Sequence, residues 1–258
     1  MKNKILLISV AVTILMSGAC TRYKDIVYLQ EESQADSIAS NFYPYSVPTY
    51  RIQQRDVLYI NILSMNKEIT DVINTSPGYS GNLYSNEAGF YIHGYNVNDS
   101  GYIEIPVIGK INVLGKTLEE AKTAIVKQTA KIIKGATVIV KLISFKYSVI
   151  GEVLKPGTYQ NFNNQLTVLE AVSQAGDITT FGDRRKVMVI RSGVEGTKTF
   201  RLDLTSKSIL TKEGFFLLPN DIVYVEPVRS RNFRNNTPTI SLVFSAVTTF
   251  VLVLNYFR

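Results

Sequence analysis

The chain has 258 residues, 45% hydrophobic and 19% charged, which leaves room for one large or two small cored domains and excludes a disordered polymer. Its one cysteine, Cys20, and one histidine, His93, exclude an intrachain disulfide, a cysteine-based metal site and a His-rich one. They also force any Ser-His-Asp or Cys-His catalysis through His93, which lies in a Gly/Asn/Tyr-rich stretch without partner spacing and reads as a loop histidine. The formal net charge of +7 is spread along the chain rather than gathered in a stripe, so it reads as solubility and not as a nucleic-acid footprint.

Lys2 and Lys4 precede an apolar run, Ile5 to Met16, that is short for a membrane span; Ser17, Gly18, Ala19 and Cys20 follow. Residues 1–19 therefore read as an export signal. Together with Cys20 they resemble the lipobox of bacterial lipoproteins, although Ser17 stands where that motif prefers leucine. The resemblance implies cleavage before Cys20 and acylation of its sulfur, a stable lipid anchor at about 0.8 kcal/mol per buried CH₂. Thr21 replaces the aspartate that resembles an inner-membrane retention signal, which points to the outer membrane.

Residues 20–48 carry Glu31, Glu32, Ser33, Asp36, Pro44 and Pro48 with little periodicity and read as a tether. A turn at Asp56 opens an alternating strand, Val57 to Ile62. Residues 71–100, with Tyr79, Tyr84, Phe90, Tyr91 and Tyr95, read as a surface loop or hairpin; a sugar-contacting role is the alternative. Asp99 to Gly101 then turns into the alternating Tyr102-Ile103-Glu104-Ile105. Pro106 and Gly109 interrupt it, and Ile111 to Leu114 resumes it. Thr117 and Glu120 form a capping box. It starts a helix with Leu118, Ala121, Ile125 and Ile132 on one face and Gly135 at its end. Ala136 to Ile143 is β-rich.

In the second half, Gly151 and Pro156-Gly157 punctuate two short strands. Thr167 and Glu170 form another capping box for a short helix that packs Leu169 and Val172 and stops at Gly176. Strands follow near Val187 to Ile190 and Thr199 to Leu204, and Leu218 to Val225 returns a last strand to the sheet. A basic linker, 229–238, holds Arg229, Arg231 and Arg234. From Thr239 to Phe257 there are 19 residues without a charge, about 28 Å as a helix. Pro238 suits its first turn. The expectation is a single C-terminal transmembrane helix over 239–257. Ser241, Ser245, Thr248 and Asn255 fall on one face, suited to a pore lumen or to neighbouring helices. The alternative is a simple tail anchor whose hydroxyls bond back to their own helix.

Three blocks carry a family resemblance. Tyr50 to Ile62, Asp99-Ser-Gly-Tyr-Ile-Glu-Ile-Pro-Val-Ile-Gly109 and Gly115-Lys-Thr-Leu-Glu-Glu-Ala121 resemble the export domain of Wza-type outer-membrane polysaccharide export proteins. Gln53-Gln54-Arg55 stands where that family has Gly-Pro-Gly, so the turn must be built differently. Val149 to Tyr159 with Leu166 to Gly176 resembles an SLBB (soluble ligand-binding β-grasp) domain. The expected architecture is α+β: an export domain at 49–145 and a β-grasp-like SLBB domain at 146–228, followed by the C-terminal helix. The resemblance implies a homo-oligomeric ring that conducts polysaccharide across the outer membrane without catalysis, cofactor or metal. Its partners would be membrane lipid and an inner-membrane co-polymerase, with no nucleic acid. Two rivals stand beside it: a periplasmic ligand-binding or adaptor lipoprotein without a pore, and a glycan-cleaving enzyme. The enzyme would need paired carboxylates, and Glu104 and Glu152 are available without being singled out as a pair.

Overall fold

Alternation of apolar residues builds the first domain. In the computed structural model, which describes residues 23–30, 42–44, 47–65, 70, 73–74, 94–193, 196–228 and a few positions between 242 and 253, β1 (Val57–Leu63) buries Leu58, Ile60 and Ile62 on one face. It is the central strand of three. On one side it pairs antiparallel with β2 (Tyr95–Asn96); on the other it pairs with β5 (Thr137–Leu142), from Leu58 opposite Leu142 to Leu63 opposite Thr137. A separate hairpin, β3 (Tyr102–Ile105) and β4 (Gly109–Asn112), turns Ile103, Ile105 and Ile111 into the same core. The turn into it needs glycine: Gly101 has φ +82°, and a Cβ there would sit 2.5 Å from Leu114 Cβ.

Helix α1 (Leu118–Thr129) begins at the expected capping box, with Thr117 accepting from the Glu120 amide and Glu120 accepting from the Thr117 amide. It buries Ala121, Ile125 and Thr129. Ile132, expected on the same face, lies past the helix end and is 45% exposed; Ile133 is buried instead. The amides of Ile132 and Ile133 both bond to Thr129 O. Ile133 continues the steps of four set by the buried Ala121, Ile125 and Thr129, so it faces inward and Ile132 does not.

The second domain is a five-stranded mixed sheet in the order β7 (Gly157–Gln160), β6 (Lys146–Gly151), β10 (Ile222–Pro227), β8 (Gly182–Gly193), β9 (Gly196–Leu202). The last strand in sequence is central, parallel to β6 and antiparallel to β8. A mixed sheet closed by its final strand and covered by one helix is the expected β-grasp arrangement. Helix α2 (Val168–Gln174) carries the second capping box, Thr167 with Glu170, and buries Val168, Ala171 and Val172 while Leu169 stays half-buried.

Residues 23–30, within the segment read as a tether, lie against this second domain. The Leu29 amide donates to Leu204 O, the Gln30 amide to Thr205 O, and the Lys207 amide to Gln30 O. Tyr28 donates its hydroxyl to Asp177 and lies under the Arg184 guanidinium, and Asp25 pairs with Arg185 at 3.1 Å.

The C-terminal expectation is corrected. Among the described residues no helix is long and apolar enough to cross a membrane. Residues 242, 244–246, 248–249 and 253 are helical and exposed, and the rest of 239–257 lies outside the described residues. A spanning helix needs about 20 consecutive apolar residues, and the described helical residues of this segment fall short of that length.

Candidate functional site

The two domains meet at a three-residue joint, Ile143-Ser144-Phe145, between β5 and β6. The Ile143 amide donates to Val57 O, Phe145 is buried in the second core, and Leu142 packs against both cores. A cleft of about 830 Å³ lies along this joint. That volume is within the range of roughly 300–1,000 Å³ typical of small-molecule clefts. Its first-domain wall is the turn Gln53 to Asp56 with the segment Asn96 to Asp99, and its second-domain wall includes Lys146, Gln160 and Asn220.

The turn at 53–56 shows how the missing glycines are replaced. Arg55 adopts φ +69°, the left-handed backbone that glycine takes without strain. Asp56 holds that conformation. One carboxylate oxygen accepts from the Gln53 amide at 2.8 Å and the Tyr50 hydroxyl at 2.7 Å, and the other accepts from the Ser144 hydroxyl at 3.1 Å. Asp56 is 4% exposed, and burial pushes its carboxyl above the usual carboxylate range against the pull of these donors. Through Ser144, the same carboxylate fastens the first domain to the joint.

The second domain repeats the device on the opposite wall. In Leu218-Pro219-Asn220-Asp221, Asn220 has φ +68° and Asp221 accepts from the Leu218 amide at 2.8 Å. The Asp56 amide bonds back to Gln53 O and the Asp221 amide to Leu218 O. A strand follows directly in each case, Val57-Leu58-Tyr59 and Ile222-Val223-Tyr224. Asp221 is also clamped by Arg191, whose Nε and Nη2 reach its two oxygens at 3.0 and 2.7 Å.

These turns gather the polar side chains of the cleft. The Arg55 amide donates to Val97 O and Val97 donates to Asp56 O, so the 53–56 turn and Asn96 move as one. Lys146 and Gln160 are cross-strand partners, and the Asn220 amide donates to Lys146 O at 2.7 Å. The side chains of Gln53, Asn96, Gln160 and Asn220 make no hydrogen bond among the described residues, and Lys146 no ion pair. Arg55 approaches Asp99 only at 4.0 Å, with both side chains more than 80% exposed. The cleft therefore offers uncommitted amide donors and acceptors from both domains.

Of the site residues named from the sequence, the described ones, Ser245 and Thr248, do not line this cleft. Cys20, Ser241 and Asn255 are outside the described residues, as are His93 and most of the Tyr-rich 71–100 segment. Ser245 and Thr248 are helical and exposed, and the Thr248 hydroxyl donates to the carbonyls of Phe244 and Ser245, the back-bonded alternative. Glu104 sits on the first-domain hairpin and Glu152 is buried in the second domain, accepting from Thr179 at 2.9 Å. Among the described residues no group of three or more His, Cys, Asp or Glu could hold a metal ion. Sequence reasoning passed over Asp56, Asn220 and Asp221 as ordinary turn residues. The signal was the recurrence of Arg-Asp-Val-Leu-Tyr as Asn-Asp-Ile-Val-Tyr at the two ends of the domain pair.

Comparison with known proteins divides the chain along the same joint. Residues 44–143 match the model of the family described as polysaccharide biosynthesis/export protein, and residues 145–225 match that of the SLBB domain. Two curated relatives are named EPS I polysaccharide export outer membrane protein EpsA. The one from Ralstonia nicotianae is 29% identical over 181 residues, 69% of this chain and 47% of its own length. The one from Ralstonia solanacearum is 28% identical over 186 residues, 69% of this chain and 48% of its own. The chain thus spans about half the length of the curated relatives it matches.

Proposed function

Since its two domains make this chain a member of the Wza-type polysaccharide export proteins, we propose that it is an outer-membrane lipoprotein whose domains stand in the periplasm and pass a polysaccharide outward as an oligomer. The observation that carries this reading is the direct succession of an export domain and an SLBB domain joined at Ile143-Ser144-Phe145, with polar walls facing each other across the joint. Relatives named as outer-membrane export proteins support the location. Cys20 supplies the acyl anchor, and an inner-membrane co-polymerase delivers the polymer. The work is conduction: a hydrated chain needs walls that offer many weak, exchangeable hydrogen bonds rather than one tight site. Catalysis plays no part. The polar face at 241, 245, 248 and 255 is assigned to contacts between copies; Thr248 uses its hydroxyl on its own helix, so this assignment leans on Ser241, Ser245 and Asn255.

Deleting the gene should remove surface polymer, and the full-length chain should restore it. Electron microscopy of the natively lipidated protein should show rings. Normal polymer in the deletion strain would end the export reading. Monomers in every mild detergent, with polymer lost, would favour the adaptor reading instead.

A further inference from the structure

The cleft at the domain joint has the chemistry of a ligand site rather than of a packing gap. Two domains packed for rigidity alone bury apolar side chains against one another or pair their polar ones. Beside this cleft the seam does more of the former: a small, mainly apolar pocket of about 60 Å³ is lined by Leu118, Leu142, Phe145, Leu166 and Phe216, with Asn163, Asn164 and Gln165 among its other walls. In the cleft, by contrast, four amide side chains have no protein partner among the described residues and, Gln160 apart, stand open to solvent, on two walls that backbone hydrogen bonds hold in place. An amide side chain offers two donors and an acceptor, the complement of vicinal hydroxyls that each donate and accept. Lys146 adds a cation with no carboxylate within salt-bridge reach among the described residues, fixed beside Gln160 and Asn220. The two acidic groups nearby do not neutralise it. Asp56 is buried behind the wall with its oxygens occupied by Tyr50, Gln53 and Ser144, and Asp99 lies on the far wall beside Arg55.

We infer that this interdomain cleft binds a short segment of an acidic glycan, its hydroxyls contacting Gln53, Asn96, Gln160 and Asn220 and its carboxylate contacting Lys146. The inference rests on the export reading for the source of the glycan, and it goes further by placing the contact at the joint and giving the polymer a negative charge. Both walls contribute, so an occupied cleft bridges the two domains. The amides contact hydroxyls on any sugar, whereas Lys146 discriminates by charge.

The test is equilibrium dialysis of full-length protein against labelled tetragalacturonate and against the same tetrasaccharide with its carboxyls reduced to alcohols. The acidic probe should bind more tightly than the neutral one, and added salt should erase the difference. Lys146→Met should weaken the acidic probe about tenfold, the size of one lost charge-assisted hydrogen bond, and leave the neutral probe unchanged. Gln160→Met should weaken both probes. Lys212→Met, an exposed lysine outside the cleft, should change neither. Equal affinity of wild type and Lys146→Met for the acidic probe, or no binding of either probe, overturns the inference. The deletion strain separates the two readings: lost surface polymer with no binding in the cleft leaves export standing and removes the site, while retained polymer removes export itself.

Discussion

The turns at 53–56 and 218–221 share a backbone and differ in electrostatics. Each places a left-handed residue before an aspartate that caps its own turn, and each launches a strand into a core. Asp221 answers its burial with a cation, since Arg191 grips it in bidentate fashion and also donates to Phe216 O. Asp56 answers with neutral donors, two hydroxyls and an amide. Burial pushes both carboxyls upward, but only at Asp221 does a guanidinium oppose it. The lesson is that turn geometry and charge compensation are separable. The first turn, at the joint, uses hydroxyls that also tie it to the linker; the second, inside its own sheet, uses an ion pair.

Removing the charge partner should do the most damage. Asp221→Ala leaves the Arg191 guanidinium, only 16% exposed, without its anion and should cost about 3–5 kcal/mol in denaturant unfolding. A loss under about 1 kcal/mol would show that water reaches Arg191 and that the two turns are alike after all. Asp56→Ala strands three donors and should cost about 2–3 kcal/mol.

The asparagine variants sharpen the contrast. Asp56→Asn keeps an acceptor for Gln53 and Tyr50, and the Ser144 hydroxyl can rotate to accept from the new amide, so its cost should stay within about 1 kcal/mol. Asp221→Asn still deprives Arg191 of its counter-charge and should resemble Asp221→Ala. Acid titration adds a sign. Asp56 in the fold binds its proton more readily than in the unfolded chain, whose carboxyl titrates near about 4. As pH falls through the raised folded-state value towards that figure, this group's contribution to stability should therefore increase, and Asp56→Asn should remove that rise. A smaller effect belongs to the helix starts, where Thr117→Ala and Thr167→Ala should each cost about 1 kcal/mol. The smallest is backbone relief. Arg55→Gly should stabilise by up to about 1 kcal/mol and Asn220→Gly by less, because asparagine already tolerates the left-handed region.

Much of this fold could be read from local pattern. Strict alternation in 57–62 and 102–105 and two Thr-x-x-Glu boxes fix strands and helix starts through neighbours within a few residues. The misplaced Ile132 shows the limit of periodicity, since the buried positions Ala121, Ile125 and Thr129 step by four and the next such step is Ile133. The C-terminal helix shows another. The Thr248 and Thr249 hydroxyls bond to carbonyls of their own helix, so the polar stripe read from the sequence is partly satisfied within the helix itself. The cleft could not be read at all, because Lys146 and Asn220 are 74 residues apart and meet only through the parallel pairing of β6 with β10.

The docking of residues 23–30 on the second domain has a consequence for the order in which the molecule is completed. These residues precede both domains in the chain, yet the carbonyls and amide that receive them, Leu204 to Lys207, are made some 175 residues later. At about 5–20 residues per second that is a wait on the order of ten seconds or more. The first domain, which lies between the two in sequence, closes a core made of its own residues. The segment is then made before both domains and among the last to find its place, so its attachment certifies that everything between it and Lys207 has been delivered.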